Sequence, residues 1–255
     1  MKFSQIDLSG KVALVTGGSK GIGHAMAIGL ATVGADIIIV SRNLQEGQAA
    51  AKKVEALGRK AIAISCDVTS KSAVEAMVVE SVKTMGKIDI LVNNAGMNIR
   101  KLVVDIEEKD FDTVINTNLK GVFLVGQSVG KQMIKQNTGG KIINVASVMA
   151  AVGVPMLNSY CASKGGIIQM TKVWALEWAE YGITVNAIGP AYIHTPMTEG
   201  WLTDPERFNF IKSMTPLQRL GTPEEVAGPV VFLSSDWSSY ITGTTLYIDG
   251  GWTSR

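Results

Sequence analysis

Short runs of branched apolar residues recur along the chain, separated by longer stretches in which apolar positions follow helical spacing. Most of the short runs do not alternate apolar with polar residues, which is typical of strands covered on both faces of a parallel sheet. They predict strands over residues 11–16, 36–41, 61–65, 88–92, 141–145, 183–188 and 245–248. Helical spacing predicts helices over 22–33, 44–57 and 72–85, and a glycine follows each of the last two.

This alternation indicates βαβ units repeated along the chain without a linker or a low-complexity block. We therefore expect one α/β domain over residues 1–255, with a doubly wound parallel sheet of about seven strands and helices on both faces. The pattern is weakest in a proline-containing segment, about 190–223, which we expect to leave the sheet as a lid over the substrate. Ligands of such proteins bind at the carboxyl ends of the strands.

Charge and composition exclude several classes of protein. The 24 basic and 22 acidic residues give a net charge of +2, which is too balanced for a nucleic-acid binder. No apolar run is long enough to span a membrane or to serve as a signal peptide. The two histidines and two cysteines lack metal-ligand spacing, so we expect no metal site. These features predict a cytoplasmic protein with reduced thiols and no nucleic-acid or membrane partner.

A glycine-rich loop follows the first predicted strand and precedes the first predicted helix. Its sequence, Thr-Gly-Gly-Ser-Lys-Gly-Ile-Gly, lets the chain turn tightly and lets the backbone approach a pyrophosphate, which a helix N-terminus attracts. The Gly-Lys-Ser/Thr ending of a mononucleotide phosphate loop is absent. The loop therefore predicts a dinucleotide-binding Rossmann fold, with cofactor contacts from Gly17, Ser19, Lys20, Gly21, Ile22 and Gly23.

The spacing Thr-Gly-x-x-x-Gly-x-Gly resembles the classical short-chain dehydrogenase/reductase family, and further landmarks follow in that family's order over essentially the whole chain. They are Asp67-Val68, Asn93-Asn94-Ala95-Gly96, Asn118, Ser147, Tyr160-x-x-x-Lys164 and the closing Ile248-Asp249-Gly250-Gly251. Within the family, the chain looks nearest to gluconate 5-dehydrogenase-like and other sugar-acid dehydrogenases.

The resemblance implies further cofactor contacts at the ends of the strands. They are Asp67 and Val68 at the adenine, Asn94, Ala95 and Gly96 along the cofactor, and Pro190, Ile193 and Thr195 near the nicotinamide. The family usually has Pro-Gly after the sixth strand, whereas this chain has Pro190-Ala191, and alanine makes the backbone less permissive there.

Three residues at the end of the second predicted strand bear on the choice of nicotinamide cofactor. NAD enzymes place a carboxylate about 20 residues beyond the glycines, where it binds the ribose hydroxyls. This chain has Ser41, Arg42 and Asn43 there, and its acidic Asp36 opens the strand at the remote end. Because Arg42 can bind a 2′-phosphate and Lys20 lies on the same side, we expect NADP(H).

Tyr160 and Lys164 share one face of a predicted helix because they are one helical turn apart. The ammonium, together with the charge of the oxidised nicotinamide, is expected to lower the tyrosine pKa so that Tyr160 exchanges a proton with the substrate. The resemblance implies that Ser147 donates a hydrogen bond to the substrate oxygen and that Asn118 anchors a water relay to Lys164. The implied reaction is hydride transfer between NADPH and a ketone or secondary alcohol.

Several interpretations of the substrate stay open. The segment 97–101 resembles sugar-acid dehydrogenases, and Arg100 is either a ligand for a substrate carboxylate or a solvated loop cation. A 3-oxoacyl-thioester reductase would need a basic patch for an acidic carrier protein, and no clear Lys/Arg cluster is seen over 128–136 or 160–181. A broad carbonyl reductase and a non-catalytic NADP-binding protein are the remaining alternatives, although the last would be expected to lose the tyrosine, lysine or serine.

The sequence also gives expectations about the lid and the assembly. Apolar side chains suited to a lid over the cleft are Tyr192, Met197, Trp201, Phe208, Phe210 and Met214. Family members are usually homotetramers built on two long helices, here about 109–136 and 158–180. Trp174 and Trp178 form an aromatic stripe that belongs either to the core or to that interface, and we favour the interface.

Overall fold

Seven parallel strands form a single sheet in a computed structural model of the chain. The structure describes residues 5–254, apart from the side chains of Met197 and Trp201. The strands are β1 (Val12–Thr16), β2 (Asp36–Ser41), β3 (Ala61–Ser65), β4 (Ile90–Asn93), β5 (Gly140–Val145), β6 (Ile183–Pro190) and β7 (Thr245–Ile248). Their order across the sheet is β3-β2-β1-β4-β5-β6-β7, which confirms the doubly wound parallel sheet.

Nine α-helices connect the strands within the described residues. They are α1 (Gly21–Thr32), α2 (Leu44–Glu55), α3 (Lys71–Met85), α4 (Glu108–Ile115), α5 (Gly121–Gln136), α6 (Asn158–Trp178), α7 (Pro196–Leu202), α8 (Pro205–Met214) and α9 (Pro223–Ser234). A π-helical segment, Asn116–Lys120, joins α4 to α5. Helices α7 and α8 lie between β6 and α9 in sequence, outside the sheet.

Two apolar cores fill the space between the sheet and its two helical layers. Alternate residues of each strand enter opposite cores: Leu14 and Ile38 pack on the side of α3, α5 and α6, whereas Ile37 and Ile39 pack on the side of α1, α2 and α9. All four side chains are fully buried. Burial on both faces explains why these strands show no apolar–polar alternation in the sequence.

The predicted strand boundaries hold to within two residues, and the clearest difference is at β4. The prediction starts at residue 88, but pairing with neighbouring strands begins at Ile90. The amide group of Gln136, from the end of α5, accepts a hydrogen bond from Ile88 N at 3.0 Å and donates one to Ile88 O at 2.9 Å. This side chain therefore takes the place of a neighbouring strand at Ile88.

The assignment of Trp174 and Trp178 to a subunit interface is wrong. Their rings stack on each other with centroids 5.1 Å apart, and Trp174 is only 6% exposed. Trp174 packs over Gly126 of α5, and Trp178 packs over Gly130 one turn further on. The helical spacing placed both rings on one face of α6 correctly, but that face meets α5 within the same chain.

The contact between α5 and α6 predicts the effect of adding a single methyl group. A Cβ atom at Gly126 would overlap the six-membered ring of Trp174, so Gly126→Ala should lower the free energy of unfolding by about 1–3 kcal/mol. Gly200 of α7 is the control because it is exposed and a Cβ there meets nothing within 4 Å. Gly200→Ala should raise the free energy of unfolding by up to about 1 kcal/mol through helix propensity. Denaturant unfolding of both variants measures the difference, and equal stabilities would contradict this description of the contact.

Candidate functional site

The glycine loop between β1 and α1 adopts a conformation that side chains would prevent. Gly17 and Gly21 have φ angles of 64° and 58°, in the left-handed region that favours glycine. A Cβ atom at Gly23 would overlap the carbonyl oxygen of Gly17. The close turn therefore requires glycine at these positions, as the sequence predicts for a loop that approaches a pyrophosphate.

The N-terminus of α1 offers backbone donors beside this loop. Lys20 precedes the helix without a side-chain cap, and no acidic residue occupies the first turn. The first N–H groups of a helix have no partner within it, and the helix dipole adds positive potential at that end. The residues present thus fit an anionic phosphate group.

The buried hydroxyl of Thr16 joins the glycine loop to the end of β4. Its Oγ1 accepts hydrogen bonds from the backbone N–H groups of Asn94, at 2.9 Å, and Ala95, at 3.0 Å. In return, Asn94 Nδ2 donates to the carbonyl oxygens of Thr16 at 2.8 Å and Gly17 at 3.3 Å. Sequence reasoning gave Thr16 no role, although it opens the quoted glycine motif.

The end of β2 carries the residues expected to select the cofactor. Ser41 Oγ donates to the carbonyl oxygen of Asn43 at 2.7 Å, and Asn43 Oδ1 caps α2. These hydrogen bonds hold the residues on either side of Arg42, whose own side chain is exposed. Asp36 lies at the opposite end of the strand, where it binds Arg59 at 2.7 Å.

Two neighbours of Arg42 have contacts that the sequence did not indicate. Lys20 pairs with Glu46 of α2 at 3.6 Å, so its ammonium is shared with a carboxylate. Asp67 accepts hydrogen bonds from the Thr69 backbone and hydroxyl, which lower its pKa, and the charge of Arg42 adds a smaller lowering of that pKa. Arg42 and Asp67 therefore face the same side of the sheet's carboxyl edge.

Ser147, Tyr160 and Lys164 come together beyond the end of β5. The Ser147 side chain lies close enough to the Tyr160 hydroxyl to lower the pKa of that hydroxyl. Lys164 Nζ donates to the carbonyl oxygen of Val145 at 2.7 Å and lies 5.5 Å from the centre of the Tyr160 ring. The structure thus assembles the group that the motif spacing predicts.

Burial dominates the electrostatics of this group. It raises the pKa of Tyr160, whereas the Ser147 side chain and the charge of Arg100 lower that pKa. Burial also lowers the pKa of Lys164 to about 8. Burial thus disfavours the charged forms of both groups.

Asn118 is buried in the π-helical segment before α5 and holds two loops together. It exchanges two hydrogen bonds with the backbone of Met97, each 2.8 Å long. Its Nδ2 also lies 3.3 Å from the hydroxyl of Ser163 on α6. Asn118 therefore fixes the segment after Gly96 against the helix that carries Tyr160 and Lys164.

Arg100 is partly buried, and its charge lowers the pKa of both Tyr192 and Tyr160. The next residue anchors the loop, because Lys101 Nζ binds Asp110 at 2.5 Å. A cationic charge therefore acts on the hydroxyl that is expected to exchange a proton with the substrate.

The chain after β6 borders both parts of the site. Pro190 ends the strand, and its carbonyl oxygen accepts a hydrogen bond from Ser147 at 3.3 Å. Ile193 forms an isolated bridge with Gly221, and the Thr195 side chain lies near the position of a Cβ at Gly21. This segment thus connects the catalytic group with the glycine loop.

The expected lid residues fall into different environments. Tyr192 and Met214 join a small apolar cluster with Tyr160 and Trp252, and Tyr192 is only 7% exposed. Phe208 and Phe210 are exposed. Met197 and Trp201, which were also expected in the lid, have side chains outside the described residues.

The described part of the chain offers neither a metal-binding cluster nor a membrane-spanning helix. Among residues 5–254, apart from the two side chains excluded above, no group of three or more His, Cys, Asp or Glu is arranged to hold a metal ion. No helix in this part of the chain has both the length and the apolar character that a membrane span requires.

The lowered pKa of Lys164 predicts a pH-dependent contribution to stability. Between pH 8 and 10.5 the unfolded chain binds more protons at this residue than the folded one, so stability rises with pH in that window. Relative to wild type, Lys164→Met should therefore be stabilised most below pH 8, by up to about 3 kcal/mol, and this difference should disappear by pH 10.5. Loss of the bond to Val145 adds a pH-independent offset.

Denaturant unfolding of both proteins from pH 7 to 10.5 measures that difference. A gap between the two curves that stays constant with pH would show that Lys164 titrates near its ordinary value when folded.

Comparisons with known proteins agree with this geometry. A family model described as enoyl-(acyl carrier protein) reductase matches residues 17–253. A 2-dehydro-3-deoxy-D-gluconate 5-dehydrogenase from Dickeya dadantii is 42% identical over 255 residues, with 100% of each chain covered. A 3-oxoacyl-(acyl-carrier-protein) reductase from Thermotoga maritima is 45% identical over 244 residues, covering 96% of this chain and 98% of the relative.

A solved structure extends the likeness to the fold. A gluconate 5-dehydrogenase from Burkholderia cenocepacia, in complex with NADP and tartrate, superposes with a TM-score of 0.94 at 37% identity, covering 98% of this chain and 97% of the other. Similarity therefore spans the whole of the described site.

Proposed function

The chain belongs to the short-chain dehydrogenase/reductase family, and on this premise we propose that it transfers a hydride between NADPH and the ketone or secondary alcohol of a sugar acid, such as 5-ketogluconate and gluconate. The observation that carries the proposal is the meeting of Ser147, Tyr160 and Lys164 at the sheet edge that also holds the glycine loop, with Arg100 beside them. The first three residues suit the reaction, and the guanidinium suits an acidic substrate.

The cofactor occupies the carboxyl edge of the sheet in this proposal. The glycine loop and the N-terminus of α1 hold the pyrophosphate, and Arg42 holds the 2′-phosphate with Ser41 and Asn43 beside it. The nicotinamide supplies or accepts the hydride. Further proposed contacts are Ser19, Lys20, Ile22, Asp67, Val68, Asn94, Ala95, Gly96, Pro190, Ile193 and Thr195.

Side chains of the protein carry out the proton transfer. In the reducing direction Tyr160 donates its hydroxyl proton to the substrate oxygen, and Ser147 hydrogen-bonds that same oxygen. Because burial raises the pKa of Tyr160, its hydroxyl carries a proton at neutral pH, which suits donation. Lys164 holds the nicotinamide ribose, and Asn118 anchors the water relay that returns a proton.

Arg100 supports the choice of a sugar acid as substrate. Its charge acts on the Tyr160 hydroxyl, next to which the reacting carbon has to sit, so it attracts a carboxylate on the same substrate molecule. Relatives named for gluconate or a dehydrogluconate support the same class of substrate.

A reductase of 3-oxoacyl thioesters is the second candidate. Lys71, Lys131 and Lys135 line a groove of about 210 Å³ between α3 and α5, together with Glu75, which pairs with Lys71 at 3.9 Å. The surface is therefore basic on balance, which the sequence did not reveal. An acidic carrier protein would fit such a surface. The Thermotoga maritima relative favours this candidate, whereas Arg100 favours the first.

The proposal includes a cytoplasmic homotetramer. Exposed apolar side chains on the two long helical segments support an interface there: Phe111, Phe123, Val173 and Leu176. Cys66 and Cys161 are both free thiols, in keeping with a reducing compartment. Helices α7 and α8 form the substrate lid in this proposal.

Substrate choice is tested by NADPH oxidation with 5-ketogluconate and acetoacetyl-CoA. We expect a higher kcat/KM for the keto acid, and Arg100→Met should lower that value about tenfold or more because a charge-assisted pair is lost. The variant should lower acetoacetyl-CoA reduction much less, because only the effect of the Arg100 charge on the Tyr160 pKa is lost there. Tyr160→Phe serves as the inactive control. A preference of wild type for the thioester would contradict the proposal and favour the second candidate.

Cofactor choice is tested at Arg42. Wild type should show a lower KM for NADPH than for NADH, and Arg42→Ala should remove most of this preference by raising the KM for NADPH alone. Arg59 provides the control, because it binds Asp36 at the remote end of β2. Arg59→Ala should leave the ratio of the two KM values unchanged, and a wild type with equal values would contradict NADP specificity.

A further inference from the structure

We propose that Glu46, in the first turn of α2, limits how strongly the protein prefers NADPH to NADH, because its carboxylate competes with the 2′-phosphate for Lys20 of the glycine loop. The sequence motifs include neither Glu46 nor the contacts that it makes. This inference rests on the proposed cofactor site at Arg42 and Lys20, and it deepens that proposal by naming a residue that acts against the phosphate.

The backbone of Glu46 is fixed to the end of β2. Asn43 Oδ1 accepts a hydrogen bond from Glu46 N at 3.2 Å, and the carbonyl oxygen of Asn43 accepts one from Gly47 N at 3.1 Å. Helix α2 also packs closely on the sheet, because a Cβ atom at Gly47 would lie only 3.0 Å from Ser41 Oγ. The Glu46 side chain therefore starts from a defined point at the carboxyl end of β2.

One carboxylate oxygen of Glu46 reaches the glycine loop. Its Oε2 accepts a hydrogen bond from Ser19 Oγ at 3.5 Å and lies 3.6 Å from Lys20 Nζ. The second oxygen, Oε1, takes part in neither contact. The Glu46 side chain therefore spans the gap between α2 and the glycine loop, which is the gap in which the 2′-phosphate is proposed to bind.

The charge of Glu46 acts in opposite directions on the two cofactors. Lys20 and Arg42 are the two cations proposed for the 2′-phosphate, and Glu46 offsets the charge of the first. A phosphate monoester carries about 1.5–2 negative charges at neutral pH, so a neighbouring carboxylate repels it. The 2′-hydroxyl of NADH carries no charge and donates a hydrogen bond that a carboxylate accepts. The same side chain therefore opposes the binding of NADPH and supports the binding of NADH.

The exposure of these groups limits the size of the effect. The side chains of Lys20 and Glu46 are 70% and 45% exposed, so water and salt weaken their attraction. Lys20 can therefore leave Glu46 for a phosphate, but this exchange reduces the net gain in binding. We expect Glu46 to moderate the preference for NADPH rather than to reverse it.

The binding of two cofactor fragments measures this competition without turnover. Adenosine 2′,5′-bisphosphate and adenosine 5′-monophosphate differ only in the 2′-phosphate, and calorimetric titration at low salt gives the Kd of each. The ratio of the monophosphate Kd to the bisphosphate Kd reports the contribution of the 2′-phosphate. In Glu46→Gln we expect this ratio to rise about threefold or more, because a carboxamide neither repels the phosphate nor pairs with the ammonium of Lys20.

Two further variants test whether the effect depends on position and on Lys20. Glu80→Gln is the matched control, because Glu80 pairs with Lys83 of α3 at 3.8 Å, is similarly exposed and takes no part in the proposed cofactor site. It should leave the ratio unchanged. In a Lys20→Met background, Glu46→Gln should raise the ratio much less, because the ammonium for which the carboxylate competes is gone.

The whole cofactors provide a second measurement. In Glu46→Gln the ratio of the KM for NADH to the KM for NADPH should rise in the same sense. The kcat with each cofactor should stay within about twofold of wild type, because Glu46 takes no part in the proton transfer.

The outcomes distinguish the inference from the proposed function. A wild type that binds the two fragments equally tightly contradicts the proposed NADPH site, whereas the inference is decided by the change in the ratio between wild type and Glu46→Gln. An unchanged ratio overturns the inference, and so does a lower one, which would show that Glu46 places Lys20 for the phosphate. An equal rise with and without Lys20 also overturns it, since the carboxylate then does not compete for that ammonium.

Discussion

The site depends first on the buried hydroxyl of Thr16. One oxygen accepts two backbone N–H groups from the end of β4, and Asn94 returns two bonds to the glycine loop. These bonds join the half of the sheet that approaches the cofactor phosphates to the segment that leads to Asn118. Because Asn118 also contacts α6 through Ser163, the position of the glycine loop is transmitted to the helix carrying Tyr160 and Lys164.

Burial is the second influence on the site, and it opposes charge on both central groups. It raises the pKa of Tyr160 and lowers that of Lys164 to about 8, so burial works against the charged form of each group. Ser147 and Arg100 act against burial at the tyrosine. The charges and dipoles that act on Tyr160 therefore come from several segments of the chain, including the loop of Arg100, which is distant in sequence from α6.

The sheet could be predicted from the sequence because a strand that is buried on both faces appears as a continuous run of branched apolar residues, as at Ile37–Ile39 in β2. Contacts between residues distant in sequence produce no such pattern. The start of β4 depends on the Gln136 side chain, and periodicity alone could not show that Trp174 covers a glycine of α5. The motif residues Ser147, Tyr160 and Lys164 were found by spacing, whereas the hydrogen bonds of Asn118 to Met97 and Ser163 required the fold.

The packing of Trp174 and Trp178 on Gly126 and Gly130 makes α5 and α6 mutually dependent. Close packing fixes the total side-chain volume that fits between α5 and α6. A position on one helix therefore cannot hold a large side chain where an indole of the other helix fills the space. Relatives that carry larger residues at the two α5 positions should carry smaller ones at the two α6 positions. The pair of helices then changes in sequence as one unit, while the catalytic face of α6 stays the same.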